Sequence, residues 1–221
     1  MGEPIKQEQK PNYQKELDHI LEGVLCRDTK PSLLLHSCCG PCSSYCLSYL
    51  HQFFNITVFY FNPNIYPLEE YEHRLSVQKH LIDRLNEDLA EKISLLEGEY
   101  DHGAFLLAAK GLEDEPEGGK RCRECFYLRL NATYQRAVEL GFDYYGTTLT
   151  VSPHKNALLI NEIGSQISET DENKQVCWLP SDFKKKNGYQ ISIELSRKYD
   201  LYRQDYCGCE FAHKLPHLII E

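Results

Sequence analysis

Three short groups of cysteines constrain the fold and the chemistry of this chain more than any other feature of its sequence. The groups are Cys38-Cys39-Gly40-Pro41-Cys42, Cys122-Arg123-Glu124-Cys125 and Cys207-Gly208-Cys209, and together with Cys46 they contain eight of the ten cysteines. In a reducing compartment, thiols clustered in this way indicate metal binding or redox catalysis rather than structural disulfides. We therefore expect the fold to bring these sulfur atoms together in one pocket.

The rest of the chain is consistent with a reducing compartment. Residues 1–12 are polar and contain lysine and proline, so they lack the apolar centre of a secretory signal and are predicted to form a disordered lead. No stretch approaches the roughly 20 apolar residues that cross a bilayer, and we expect one cytoplasmic domain over residues 13–221. Cys26 and Cys177, outside the groups, are predicted to be ordinary buried side chains.

Apolar segments alternate with amphipathic ones along the chain. Strands are predicted at 32–36, 56–61, 93–96 and 144–151, and helices at 13–24, 68–85 and 157–168, with a further helix running from the second cysteine pair to about residue 140. This alternation favours an α/β fold with a parallel sheet flanked by helices, in which ligands bind at the carboxyl ends of the strands. The first cysteine group and the loop 152–156 both follow predicted strands.

The cysteine spacings favour a metal centre and leave its identity open. The first group lies at a predicted helix start, where the positive potential favours thiolates, and the C-x-x-C pair completes a set of four thiols. Adjacent Cys38 and Cys39 are predicted to converge poorly on one tetrahedral ion, which favours an iron–sulfur cluster over zinc. The C-x-C spacing at Cys207 and Cys209 suits a strained redox-active disulfide or two further metal ligands.

Charge and aromatic content allow contact with RNA at a local surface. The formal charge of -9 argues against binding nucleic acid over the whole surface, although a basic face could still do so. Candidates for phosphate contacts, or for an ordinary solvated face, are Arg121, Arg123, Arg129, Arg136 and Lys184-Lys185-Lys186. Side chains beside strand ends that could donate protons or contact substrate are His36, His154 and Lys155. Aromatic residues that could stack on unpaired bases, but are expected mostly in the core, are Tyr60, Phe61, Tyr66, Tyr144 and Tyr145.

Five motifs in a fixed order make the chain similar to a known family. They are His36-Ser37-Cys38-Cys39-Gly40-Pro41-Cys42, Phe61-Asn62-Pro63-Asn64-Ile65, Cys122-Arg123-Glu124-Cys125, Thr147-Thr148-Leu149 with Ser152-Pro153-His154-Lys155, and Tyr206-Cys207-Gly208-Cys209. Over residues 32–211 the sequence resembles the QueH family of epoxyqueuosine reductases. The resemblance implies two-electron reduction of epoxyqueuosine to queuosine at the wobble base of tRNA, the last step of queuosine biosynthesis, with electrons from an external donor that the sequence does not identify.

The same resemblance implies a site. It implies a 4Fe-4S cluster held by Cys38, Cys39, Cys122 and Cys125, and a redox-active pair formed by Cys207 and Cys209. Cys42 is a candidate ligand of an additional iron ion, and Asp205 is a weaker candidate for the same role. The fold would resemble the nucleotide-hydrolase-like (HUP) fold, but the chain lacks a Ser-Gly-Gly-x-Asp-Ser type of loop, so use of ATP is not expected.

Two other functions remain open at this point. A dithiol-disulfide oxidoreductase acting on proteins would use the cysteine pairs without any metal. A zinc-stabilised binding module would use the same thiols for structure alone.

Overall fold

The computed structural model describes residues 11–171 and 175–213. The predicted lead over residues 1–12 therefore lies almost entirely outside the described residues. The described chain contains helices α1 (Tyr13–Leu25), α2 (Gly40–Leu50), α3 (Leu68–Asp88), α4 (His102–Ala109), α5 (Lys120–Leu140), α6 (Ala157–Glu169) and α7 (Gly188–Lys198). Its strands are β1 (Ser32–Ser37), β2 (Asn55–Tyr60), β3 (Ser94–Glu97), β4 (Tyr144–Thr147) and β5 (Cys177–Trp178).

The five strands form one parallel sheet in the order β3-β2-β1-β4-β5. This confirms the predicted α/β class, while the likeness to the nucleotide-hydrolase-like fold stays a prediction. Within the described ranges no helix is both long and apolar enough to span a membrane.

The central strand β1 shows why the sheet is covered on both faces. Leu33 and Leu35 pack with α1, α2 and α3, whereas Leu34 points to the opposite face and packs with α5 and α6. All three leucines are completely buried. A continuous apolar run of this kind is typical of a parallel strand with helices on each side.

The connection from β1 to α2 forms the predicted strand, loop and helix unit. Cys39 is the N-cap of α2 in an extended conformation, and Pro41 occupies the first turn, where a missing N–H costs nothing. Gly40 allows α2 to approach α3 closely, because a Cβ there would lie 2.9 Å from Val77 Cγ1.

Several predictions of local structure were wrong. Strand β4 ends at Thr147 rather than residue 151, because the following residues turn into a 3-10 helix (Leu149–Val151), where the Leu149 N–H donates to Thr147 Oγ1. Helices α4 and α7 and the short strand β5 were not predicted. Cys26 and Cys177 are exposed rather than buried, since Cys26 caps the end of α1 and Cys177 lies on the edge strand.

Candidate metal centre

The cysteine groups meet at the carboxyl edge of the sheet, where parallel α/β folds bind their ligands. Cys38 and Cys39 directly follow β1, and the loop 61–67 follows β2. The C-terminal segment reaches the same edge through an antiparallel bridge between Ile65 and Cys209, and the Tyr66 N–H donates to the Gly208 carbonyl at 2.9 Å. The first cysteine group and the C-terminal pair are therefore brought to the same edge of the sheet.

Cys38, Cys39 and Cys42 form a compact set, here called the Cys38 set. Their sulfur atoms all lie within 4.8 Å of one another, and the Cys38 and Cys39 sulfurs are 3.8 Å apart. The prediction that two adjacent cysteines converge poorly was wrong. Cys39 is extended immediately before the helix and Cys42 lies three residues further on, so their side chains approach as the N-cap and N3 side chains of a helix do.

The Cys38 set holds its negative charge on one sulfur. Hydrogen bonds from the Cys38 and Cys42 thiols keep the pKa of Cys39 well below its usual range. Hydrogen bonds with Cys38 and then Cys39 raise the pKa of Cys42 well above the usual range, and the bond to Cys39 also raises the pKa of Cys38. In this arrangement one thiolate accepts hydrogen bonds from two thiols. A thiophilic metal ion can bind the three sulfur atoms and displace the protons of the two thiols.

Cys122, Cys125, Cys207 and Cys209 line a second feature, here called the thiol pocket. Burial raises the pKa of Cys125 to about 12 and also raises the pKa values of Cys122 and Cys209. The Gly118 N–H donates to the Cys122 sulfur at 3.2 Å. The sequence predicts a role for Cys207 and Cys209 that differs from the role of Cys122 and Cys125. The fold nevertheless places all four cysteines around the same pocket.

Two cations lie between the Cys38 set and the thiol pocket. Arg129 is only 2 % exposed, its Nε donates to the Cys125 carbonyl at 3.2 Å, and its guanidinium lies 5.5 Å from the centre of the Phe126 ring. The Lys155 Nζ lies 3.7 Å from the Cys207 sulfur and 6.0 Å from the centre of the same ring. Phe126 packs in the apolar cluster that contains Cys38 and Cys39, against which Cys122 also packs.

Within residues 11–171 and 175–213, neither of these cations forms an ion pair with an acidic side chain. Arg129 Nη2 has no hydrogen-bond partner, and among the described residues that line the thiol pocket the sole carboxylate is that of the exposed Glu117. The electrostatic interaction with Cys207 is the main cause that raises the Lys155 pKa, with smaller contributions from Cys38 and Cys42. A buried cation requires nearby negative charge, so the site is arranged to hold thiolates or an anionic thiolate-bound group.

Arg74 fixes the C-terminal cysteine segment and was missed by sequence analysis. Its Nε bonds to Glu70 at 2.6 Å, its Nη1 donates to the Cys207 carbonyl at 3.2 Å, and its guanidinium lies 5.0 Å from the centre of the Tyr206 ring. Gly208 adopts φ +83, and a Cβ there would lie within 2.9 Å of Arg74. The i,i+4 pair of Glu70 and Arg74 was a sequence signal for a helix contact, but it carried no information about the distant segment.

Several predicted roles require correction. His36 is buried, with Nδ1 2.9 Å from Thr147 Oγ1 and Nε2 donating to the Phe61 carbonyl at 3.1 Å, so it joins β1 to the two neighbouring strand ends. Burial lowers its pKa to about 3, which makes it a neutral structural residue rather than a proton donor. His154 is exposed at the rim of the thiol pocket.

Only some of the arginines and lysines predicted to contact phosphate are accessible to solvent. Arg121 is buried and donates to the carbonyls of Leu112, Glu113 and Glu115, and the buried Arg129 faces the thiols, so both assignments were wrong. Lys184 and Lys186 pair with Asp182 and Asp18, respectively, while Arg123 and Lys185 are exposed. Arg136 is partly exposed and pairs with Glu139.

The tyrosines that could stack on bases and the possible iron ligand Asp205 differ in their exposure to solvent. Tyr60 and Tyr145 are fully buried, as predicted for core aromatics, whereas Tyr66 is 48 % exposed. Asp205 is exposed and does not belong to the compact Cys38 set, so its role as a ligand stays a prediction.

Comparison with known proteins identifies relatives over most of the chain. A family model described as "Epoxyqueuosine reductase QueH" matches residues 33–215. A protein of that name from Streptococcus pyogenes serotype M1 is 45% identical over 207 residues, covering 94% of this chain and 80% of its own length. Another from Staphylococcus epidermidis is 44% identical over 206 residues, covering 92% of this chain and 85% of its own length. One from Thermotoga maritima is 34% identical over 184 residues, with 82% and 90% covered.

Proposed function

The chain belongs to the QueH family of epoxyqueuosine reductases, and from this membership we propose that it reduces epoxyqueuosine to queuosine at the wobble position of tRNA. The observation that carries the proposal is the placement of two cations, the buried Arg129 and the half-buried Lys155, beside cysteines of all three groups at the carboxyl edge of the sheet. A site with this charge pattern suits electron transfer through metal-bound thiolates.

The reaction removes one oxygen atom from the substrate. Both carbon–oxygen bonds of the epoxide break, a carbon–carbon double bond forms, and the oxygen leaves as water after taking up two electrons and two protons. The electrons come from an external reductant. The chain must therefore hold an electron-carrying group, supply protons to a departing oxygen, and admit a nucleotide.

A 4Fe-4S cluster held by Cys38, Cys39, Cys122 and Cys125 is the proposed cofactor. The donor set fits, because thiolates are the usual ligands of such clusters and the site compensates negative charge with two cations. When bound, the cluster would supply electrons one at a time, and the additional iron ion proposed below would polarise the epoxide oxygen as a Lewis acid. The raised pKa values of Cys38, Cys122 and Cys125 mean that these three thiols release protons when they bind metal.

Cys42 is proposed to bind an additional iron ion beside the cluster ligands Cys38 and Cys39. The Cys42 sulfur lies within 4.8 Å of both of their sulfurs, so an ion bound to Cys42 would lie next to the cluster. Thiolate sulfur is a ligand that iron accepts readily.

Lys155 is proposed to hold the proton that the departing oxygen receives. Its Nζ remains an ammonium because the electrostatic interaction with the neighbouring Cys207 raises its pKa. An alkoxide formed from the epoxide is a much stronger base than a lysine amine, so transfer of this proton is favourable. Arg129 cannot serve this role, since a guanidinium does not give up its proton in a protein.

Cys207 and Cys209 are proposed to act as a redox pair that returns electrons to the site. Gly208 in the left-handed region gives the segment the backbone freedom that a C-x-C disulfide requires. Arg74 and the bridge to Ile65 hold this segment against the pocket, so the two thiols stay beside Cys122 and Cys125.

Anaerobic purification followed by nucleoside analysis tests the proposal. The wild-type protein should be brown, with at least about four irons per chain, and with a strong reductant should convert epoxyqueuosine in tRNA to a nucleoside lacking one oxygen. The Cys125→Ser variant is the matched inactive control. Colourless protein containing zinc would instead support the binding module, and metal-free protein that reduces protein disulfides would support the dithiol oxidoreductase.

A further inference from the structure

A row of neighbouring aromatic rings extends from the core to the surface beside the C-terminal cysteine segment. Tyr60 is fully buried and lies 5.1 Å from Tyr71, measured between ring centres. Tyr71 lies 4.5 Å from Tyr100, whose ring stacks on His102 at 6.2 Å, and His102 stacks on Tyr66 at 5.1 Å with an angle of 25° between the rings. Tyr66 is the outermost ring, at 48 % exposure.

The outermost ring is held in place rather than free to swing. The Tyr66 N–H donates to the Gly208 carbonyl, which ties the residue to the segment between Cys207 and Cys209. His102, which covers one face of Tyr66, is itself fixed by its Nδ1, 2.8 Å from the Pro63 carbonyl. A flat ring with one face supported and nearly half of its surface exposed is preorganised, so a partner that stacks on it loses little ordering entropy.

From this arrangement we infer that Tyr66, backed by His102, is a stacking platform for an unpaired nucleobase of the anticodon loop. The inference rests on the proposed function and adds the residue that receives the RNA. A wobble base whose side group must reach a pocket in the protein leaves its stack, and unpaired RNA bases stack on aromatic side chains. Tyr66 lies at the carboxyl edge of the sheet, one main-chain hydrogen bond from the proposed redox pair.

The other exposed tyrosines of the described chain are less suited to this role. Tyr202 makes an edge-on contact with His73 at 4.4 Å, so it lacks a parallel backing ring. Tyr127, at 49 % exposure, lies on α5 two residues beyond Cys125, so its side chain points about 200° around the helix axis from that ligand. Tyr127 therefore provides a control of matched exposure.

Binding of an anticodon stem-loop RNA carrying epoxyqueuosine, with steady-state kinetics on the same RNA, tests the inference. Loss of one base–aromatic stack should weaken binding by about 5- to 150-fold in Tyr66→Ala, because such a stack contributes roughly 1–3 kcal/mol. Tyr66→Phe should restore most of the affinity, and Tyr127→Ala should bind like the wild type. In Tyr66→Ala the weaker binding should raise KM more than it lowers kcat. The visible absorbance and the thermal midpoint of this variant should be unchanged.

The outcomes separate this inference from the proposed function. If the wild-type protein binds the RNA and converts it, but Tyr66→Ala does so with unchanged KM, the platform is wrong and the reductase assignment stands. Equal losses in Tyr66→Ala and Tyr66→Phe would also overturn the platform, since stacking does not need the hydroxyl group. Wild-type protein that binds the RNA but never converts it would overturn the reductase assignment instead.

Discussion

The Lys155 ammonium nitrogen lies 3.7 Å from the Cys207 sulfur, so this charged side chain connects the loop after β4 to the C-terminal cysteine segment. We expect Lys155→Met to lower kcat by about 10²–10⁴-fold, the usual contribution of a positioned proton donor. Iron content and visible absorbance should be retained. Lys110→Met, at an exposed position, is the control, and a Lys155→Met enzyme with wild-type kcat would exclude the lysine as proton donor.

Matched serine variants separate cluster ligands from the redox pair. Cys125→Ser should lose visible absorbance and activity together, because it removes a proposed ligand. Cys209→Ser should keep the absorbance and lose multiple turnover, because it removes a proposed electron carrier from the same pocket wall. Loss of iron from Cys209→Ser would show that this thiol is itself a ligand.

Cys42 provides a separate test of metal count. Cys42→Ser should lower the iron content by about one ion per chain and leave the cluster absorbance, because it removes the proposed ligand of the additional ion alone. Cys46→Ser, one turn further along α2 and fully buried, is the control for perturbing this helix. Unchanged iron content in Cys42→Ser would contradict the additional ion.

Removal of the Arg129 charge should make the bound cluster harder to reduce. We expect Arg129→Met to shift the midpoint potential downward by on the order of 50–100 mV, the effect of one charge at short range and an effective dielectric constant near 20. Arg129→Lys should recover most of the shift, and Arg136→Met on the outer part of α5 should have none. The measurement is a redox titration followed by electron paramagnetic resonance.

Burial of neutral His36 should make stability fall in mild acid. An unfolded histidine binds its proton near pH 6.5, but the folded pKa is about 3, so the unfolded state binds more protons between these values and stability is lost as pH falls. From pH 7 to 5 this amounts to about 2 kcal/mol, or roughly 4–8 °C in the thermal midpoint. His36→Asn should lack this part of the decline and His19→Asn, at an exposed residue, should keep it.

The sequence by itself determined the α/β class, most strand and helix positions, and the segments that carry the site. These depend on local patterns, since β1 is a short apolar run and the cysteine groups are contiguous. The same locality explains the errors at Cys26, Cys177 and the end of β4, where a helix cap, a sheet edge and a side-chain hydrogen bond decide the outcome.

Only the tertiary structure decided which thiols are neighbours and which charges are buried. Cys42 joins Cys38 and Cys39 because a helix begins between them, and Cys209 reaches Cys125 through pairing with Ile65, far away in sequence. Arg129 looks like a surface arginine in the sequence but faces the thiols, whereas Tyr66 is exposed although the residues just before it, Asn64 and Ile65, are buried. Burial and convergence depend on long-range packing, which residue spacing along one segment does not encode.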